Sequence, residues 1–295
     1  MTDHELLEVR YADFVGSNYA VSCNSGTSAL HLGLLALGVG QGDEVIIPDF
    51  TMAACGFAVS YTGAKVVTVD CGEDFNINVS KIEEKITPKT KVIMAVHIYG
   101  RLADMDSILT IADKHGLYVL EDACEAQGAV YDSGADITCY SFYKNKIIAG
   151  EEGGMATTND RYFANRMKFL KNMAFNKEHN YFHEEIGYNY RMPDSQARLI
   201  LKSLDDYPKN KQNREKFELL WRNLIPTHKR DAVWVYDFLC ESASDKELKI
   251  IELNSKNIPW RYFFKPLSTM PMWKQDVGRK ALDYSNRGIY IQYHE

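Results

Sequence analysis

The chain is predicted to be an α/β protein: a mostly parallel central sheet sandwiched by helices, followed by a small α+β region. Three observations predict it. Short β-branched runs alternate with amphipathic stretches up to about residue 160. The 295 residues, 45% hydrophobic and 25% charged, suffice for one large domain and a smaller one. Beyond Tyr207 the alternation weakens and Trp, Phe and Tyr become frequent. The expected division is residues 1–205 and 206–295.

The elements follow in order. Tyr19–Cys23 reads as the first strand and Thr27 to about Leu37 as an amphipathic helix. Glu44–Ile47 is a strand, Thr51–Tyr61 a helix and Lys65–Val69 a strand. A short helix over Ser80–Ile86 precedes the strand Lys91–Val96. A helix over Asp104–His115 leads into the strand Leu117–Glu121, and Ile137–Phe142 and Gly154–Thr158 are two more strands. Thr158-Asn-Asp160 is a start signal for a helix over Asp160–Met173. An irregular, aromatic-rich stretch from Ala174 to Tyr190 follows, then Pro193 opens a helix over Asp194–Leu204. In the last part, Ala232–Leu239 and Trp260–Phe264 read as strands and Lys246–Lys256 as a helix. No internal repeat or low-complexity tract is present.

A formal net charge of -6 with no basic run argues against nucleic-acid or membrane-surface partners. Six cysteines without CxxC spacing argue for buried thiols rather than a disulfide framework or a zinc site, and no metal is expected. The opening MTDHELLEVRYADF is polar, and no apolar run is long enough to cross a bilayer. A cytoplasmic protein is the expectation.

In such a sheet, ligands bind beyond the carboxyl ends of the strands. Asn24-Ser-Gly-Thr-Ser-Ala29 lies between a strand and a helix. Gly26 permits close backbone approach, and Thr27 and Ser28 offer donors at a helix N-terminus, which suits an anion. Ordinary helix capping accounts for the same residues. Gly38-Val-Gly-Gln-Gly42 imitates a dinucleotide loop but follows a helix and precedes a strand, so it reads as a turn. Glu121 and Asp122 end a buried strand, and successive strand residues face opposite ways. Only one can enter a given site, and Asp122 is the better candidate, either holding a pyridinium N–H or capping the next segment. Lys144 and Lys146 compete as a desolvated, nucleophilic amine. Asn189 and Arg191 sit on irregular backbone, where either a phosphate contact or a surface role is open. His97, after a strand, reads first as a structural histidine and second as a substrate contact.

The motifs NSGTSALHLGL, GDEVIIPDFT, AVHIYGRLADMD, EDACEAQGA, SFYKNKIIAGEEGGMATTND and GYNYRM occur in this order. The set resembles the DegT/DnrJ/EryC1/StrS family of pyridoxal 5′-phosphate (PLP) enzymes. These are mostly sugar aminotransferases of aspartate-aminotransferase fold type I. The likeness covers roughly residues 12–205 and continues more faintly to the end. It implies that Lys146, five residues after Ser141, is the Schiff-base lysine in place of Lys144. It implies that Ser141, Gly26, Thr27 and Ser28 hold the cofactor phosphate and that Asp122 pairs with the pyridine nitrogen. Glu125 would lie near the ring and its 3′-oxygen. Asn189 would reach the phosphate across a homodimer interface. The implied donor is an amino acid, usually glutamate, and the acceptor a keto sugar.

Arg261-Tyr-Phe-Phe-Lys-Pro-Leu-Ser-Thr-Met-Pro-Met272 resembles a stretch of nucleotide-sugar 4-aminotransferases of the GDP-perosamine synthase kind. That likeness implies a nucleotide-linked 4-keto-6-deoxyhexose. Two positions depart from the family pattern. Met52 stands where members carry an aromatic ring that stacks on the cofactor, and Glu151-Glu152 replaces a more usual Gly-Glu. Relatives also carry chain before and after this sequence, so the second domain reads as shortened. Two alternatives stand beside the aminotransferase: a PLP enzyme acting on another small molecule, and a non-catalytic regulatory or interaction protein. Retention of Lys146, Asp122 and Ser141 together weighs against the last.

Overall fold

Several helix starts in the first half are capped by a side chain the sequence supplies at that point. Helix α1 (Asp3–Val15) opens on a capping box, in which Thr2 accepts from the Glu5 N–H while Glu5 accepts from the Thr2 N–H. It stops at Gly16, whose φ of +75° is the left-handed conformation that glycine adopts without strain. This computed structural model describes residues 1–129, 132–176, 178, 181–222 and 230–293. Part of the aromatic-rich stretch expected over 174–190 lies outside them.

The chain continues as β1 (Tyr19–Cys23), α2 (Gly26–Ala36), β2 (Glu44–Pro48), α3 (Ala53–Tyr61), β3 (Lys65–Val69) and β4 (Thr90–Val96). Then come α4 (Met105–His115), β5 (Tyr118–Asp122), β6 (Ile137–Ser141), β7 (Gly154–Thr158), α5 (Arg161–Lys171) and α6 (Asp194–Asp205). The last part is α7 (Tyr207–Arg222), β8 (Tyr236–Leu239), α8 (Ala243–Ser255), β9 (Trp260–Tyr262), α9 (Arg279–Arg287) and β10 (Gly288–Ile291). A seven-stranded sheet has the order β1-β7-β6-β5-β4-β2-β3. Within it β7 runs against its neighbours β1 and β6, and the other pairs are parallel. Near-continuous burial of β1, β2, β5, β6 and β7 matches a sheet covered on both faces. A second sheet, β8-β10-β9, is antiparallel.

Helix α2 is buried almost all round and lies close on the sheet. A Cβ on Gly33 would come within 2.7 Å of the Leu120 side chain, so glycine sets the depth of that packing. The main apolar core joins Val21, Leu30 and Leu120 to Trp234, Phe263, Tyr284 and Tyr290 from the last part of the chain. A smaller core of Phe217, Tyr236, Phe238, Ile250 and Ile289 lies under the second sheet. Buried Asp237 receives Arg101 at 2.7 Å and Arg230 at 2.6 Å, tying the segment after β4 to β8. The aromatic end of the chain is thereby packed onto the strand ends of the large sheet.

Most expected elements are present within a residue or two. The helix expected over Ser80–Ile86 is two 3₁₀ turns, Val79–Lys81 and Glu83–Lys85, the first capped by Asn78. The strand expected from Ala232 begins only at Tyr236, because the Asp231 and Ala232 N–H groups bond the Gly100 carbonyl instead. Gly38–Gly42 is a turn, as its position between α2 and β2 requires. The elements α1, α7, α9 and β10 were not foreseen. Among the described residues no helix is long and apolar enough to cross a membrane.

Candidate active site

At the carboxyl end of β1, the chain turns through Ser25 into α2. Ser25 caps the helix by accepting from the Ser28 N–H at 3.1 Å, and its backbone bridges Gly153 beside β7. A Cβ on Gly26 would lie 2.8 Å from Ser141 Cβ and 3.2 Å from the Ser141 hydroxyl. Only glycine lets the first turn of α2 come this close to the end of β6. The result is a cradle of helix N–H groups facing a buried serine, an arrangement suited to phosphate.

The cradle opens into a cavity of about 410 Å³. Gly26, Thr27, Met52, Asp122, Glu125, Ser141 and Lys146 all line it. Ser28 does not: its hydroxyl is 2.6 Å from Asn24 Oδ1 and 2.8 Å from Ser25 Oγ, and Ser25 takes its place on the cavity wall. Cap chemistry, which the sequence left open for this segment, therefore claims Ser28.

Asp122 ends β5 with its carboxylate held from the protein side. Oδ1 accepts from the Cys124 N–H at 3.0 Å and Oδ2 from the Cys55 thiol at 3.2 Å. Burial and the Asp122 charge push the Cys55 thiol far above its usual range, so it is a donor here. Glu121, one residue earlier, faces the other side of the sheet and meets His97 at 2.8 Å, Ser133 at 2.7 Å and Thr138 at 2.6 Å. Burial pushes its carboxyl up, but these partners outweigh that and hold it below the usual range.

Both nitrogens of His97 are used. Nε2 faces Glu121, and Nδ1 accepts from the Ala103 N–H at 3.0 Å. His97 is absent from the cavity wall, and its bonds suit the structural role that the sequence reading put first. Arg191 is exposed, donates to Asn172 at 3.0 Å and does not line this cavity. Asn189 is exposed and also stands off the wall, its carbonyl accepting from Asn24 at 3.4 Å.

Lys146 is half-buried, whereas Lys144 is exposed. The Lys146 ammonium lies 3.8 Å from the centre of the Trp234 ring, a cation–π contact. Glu125 accepts the Tyr99 N–H at 2.8 Å. Burial pushes its carboxyl up to about 8, with Lys146 and the Tyr99 bond only partly opposing. The neighbouring turn is strained to serve it: Tyr99 has φ of +52° with its ring fully buried. Beside it, a Cβ on Gly100 would meet the Ala232 oxygen at 1.9 Å.

Sequence reasoning missed the far wall. Trp234, Phe264 and Tyr290 close the cavity from the second sheet's side, and Thr51, Tyr143, Asn145 and Glu152 also line it. The local signals were the aromatic enrichment beyond Tyr207 and, for Phe264, the Arg261–Met272 likeness; neither says where the rings point. An anion cradle, a buried carboxylate, a half-buried amine and an aromatic wall around one cavity match what a phosphorylated pyridine aldehyde needs. The residues present fit PLP.

The model of the DegT/DnrJ/EryC1/StrS aminotransferase family matches residues 2–291. The GDP-perosamine synthase of Caulobacter vibrioides is 40% identical over 284 residues, covering 90% of this chain and 76% of that protein. Among solved structures, Streptomyces venezuelae DesV in complex with a ketimine intermediate superposes with a TM-score of 0.89 at 28% identity. That match covers 99% of this chain and 84% of the other. A Bacillus subtilis protein, NtdA, with bound cofactor PMP gives 0.90 at 26% identity, covering 99% and 73%. With that match over almost its whole length, the chain belongs to the DegT/DnrJ/EryC1/StrS aminotransferase family, whose members are PLP-dependent.

Proposed function

We propose that this aminotransferase moves an amino group from an amino acid, glutamate in the first instance, to a nucleotide-linked 4-keto-6-deoxyhexose. The single observation that carries the reading is the meeting of Lys146, Asp122, Ser141 and the α2 N-terminus around one cavity. The choice of acceptor rests on likeness to GDP-perosamine synthase and on Arg261–Met272, which contributes Phe264 to the cavity wall.

When bound, PLP supplies an electrophilic aldehyde carbon and a ring able to accept an electron pair. Ser25, Gly26, Thr27 and Ser141 would hold its phosphate. Asp122, kept in place by Cys55 and Cys124, would hold a proton at the ring nitrogen. With PLP bound, Lys146 would be its covalent anchor, and its ε-amine, when free, would be placed to carry a proton between donor and cofactor. The aromatic wall excludes water from that transfer. Met52, 53% exposed at the start of α3, lies at the cavity mouth, where it covers less of a ring face than an aromatic would.

We further propose a homodimer in which Asn189 of one protomer approaches the other's phosphate site. The exposure of Asn189, with Tyr181, Phe182 and Ile186 also exposed in the same segment, supports this reading. The decisive experiment is a two-stage assay. Glutamate should convert the bound cofactor to its amine form, and a 4-keto-6-deoxyhexose nucleotide should restore the aldehyde. Conversion by glutamate followed by restoration only with keto compounds that carry no nucleotide would overturn the acceptor assignment.

A further inference from the structure

The segment carrying the key lysine, from Tyr143 to Gly150, has no regular secondary structure, so its buried carbonyls need donors from elsewhere. Gln127 serves the Ile148 carbonyl at 3.1 Å, and helix α7 serves three others. Arg214 donates to the Asn145 carbonyl at 2.9 Å and the Lys146 carbonyl at 3.0 Å. Asn210, one turn earlier, donates to the Ile147 carbonyl at 3.2 Å. The same guanidinium donates to the Trp234 carbonyl at 2.5 Å, and Trp234 is the residue whose ring meets the Lys146 ammonium.

Arg214 is an unusual way to satisfy carbonyls. It is 5% exposed, and among the described residues no carboxylate lies within ion-pair reach of it. Its remaining face lies 4.6 Å from the centre of the Tyr293 ring. Burial draws its guanidinium down to about 10, which leaves it charged at neutral pH. A buried cation with no carboxylate partner among the described residues is costly, and neutral Asn210 shows that an amide can serve a carbonyl of this segment. What an amide cannot do is span three carbonyls from two separate segments at once.

We propose that Arg214 is a positioning residue: by gripping the Lys146 and Trp234 carbonyls together, it sets the ε-amine against the indole face and holds it ready for covalent capture of the cofactor. The inference rests on Lys146 being the covalent anchor. It predicts that cofactor binding and cofactor capture are separable, since Arg214 touches neither the α2 cradle nor Asp122.

The test mixes cofactor-free protein with PLP and follows two signals: PLP bound, by equilibrium dialysis, and the visible band of lysine-bound cofactor, by stopped flow. Wild type and Lys144→Ala should bind and capture alike. Arg214→Ala should bind PLP as wild type does yet capture it roughly 10- to 100-fold more slowly, with partial rescue by added guanidinium ion. Should Arg214→Ala fail to fold, Arg214→Lys, which keeps the charge but not the fork, carries the same expectation without rescue. Capture at the wild-type rate would overturn the proposal. So would loss of binding and capture by one common factor, the mark of a merely structural role. A wild type with no visible band would sink the anchor reading itself, and this inference with it.

Discussion

Glu121 and Asp122 are neighbours on one strand, both buried, and they meet opposite fates. Glu121 is closed off: three donors on the far side of the sheet meet it, one of them a histidine with both nitrogens engaged. Asp122 is held by two donors from the protein side and lines the cavity. The strand's alternation puts them on opposite faces, and what packs on each face decides the rest. A saturated buried carboxylate builds structure; one with room left for a ligand can do chemistry.

The largest effect is expected at the saturated carboxylate. Glu121→Ala leaves His97 buried without its partner and should cost about 3–5 kcal/mol of stability in urea denaturation, while kcat per folded molecule stays near wild type. A large loss of kcat with little loss of stability would reverse the assignment. Asp122→Asn should do the converse, lowering kcat/KM roughly 100- to 1,000-fold with a much smaller change in denaturation midpoint.

Glu125 sharpens the contrast, since it is a third carboxyl with a different balance. Its folded value near 8 lies above the ordinary 4.5. A raised acid favours folding in its neutral form, so this contribution is complete below about 4.5 and is lost as pH rises through about 8. Glu125→Gln cannot ionise and should escape that loss. Its melting temperature relative to wild type should therefore be higher at pH 9 than at pH 5; a pH-independent difference would contradict the account. The smallest effect is expected from Ser133→Ala, which removes one of the three donors to Glu121. A loss of about 1.5–3 kcal/mol in denaturation, with unchanged activity, is the expected result.

The sequence showed much of this site, because its signals are local. Strand alternation separated Asp122 from Glu121, and the ordered motifs pointed to Lys146 over Lys144. Gly26 was legible as a close-approach glycine, although not that Ser141 was what it approached. Ser28 was ambiguous because a cap and an anion site use the same residue types; here its hydroxyl meets Asn24 and Ser25. Trp234, Phe264, Tyr290 and Arg214 were not legible, since they reach the cavity or the lysine segment from far along the chain. Helix α1 could have been found from its Thr2-x-x-Glu5 box. In α7 the residues on one face bond backbone carbonyls instead of packing in an apolar stripe, which weakens the helical pattern.

Everything proposed for this site turns on one amine, Lys146, half-buried against Trp234, as the place where the cofactor is bound covalently. Purified protein should be mixed with PLP, reduced with borohydride, digested and mapped by mass spectrometry. The phosphopyridoxyl mass is expected on Lys146, with its visible band absent in Lys146→Ala and retained in Lys144→Ala. Label on Lys144, or a band that survives Lys146→Ala, would contradict it.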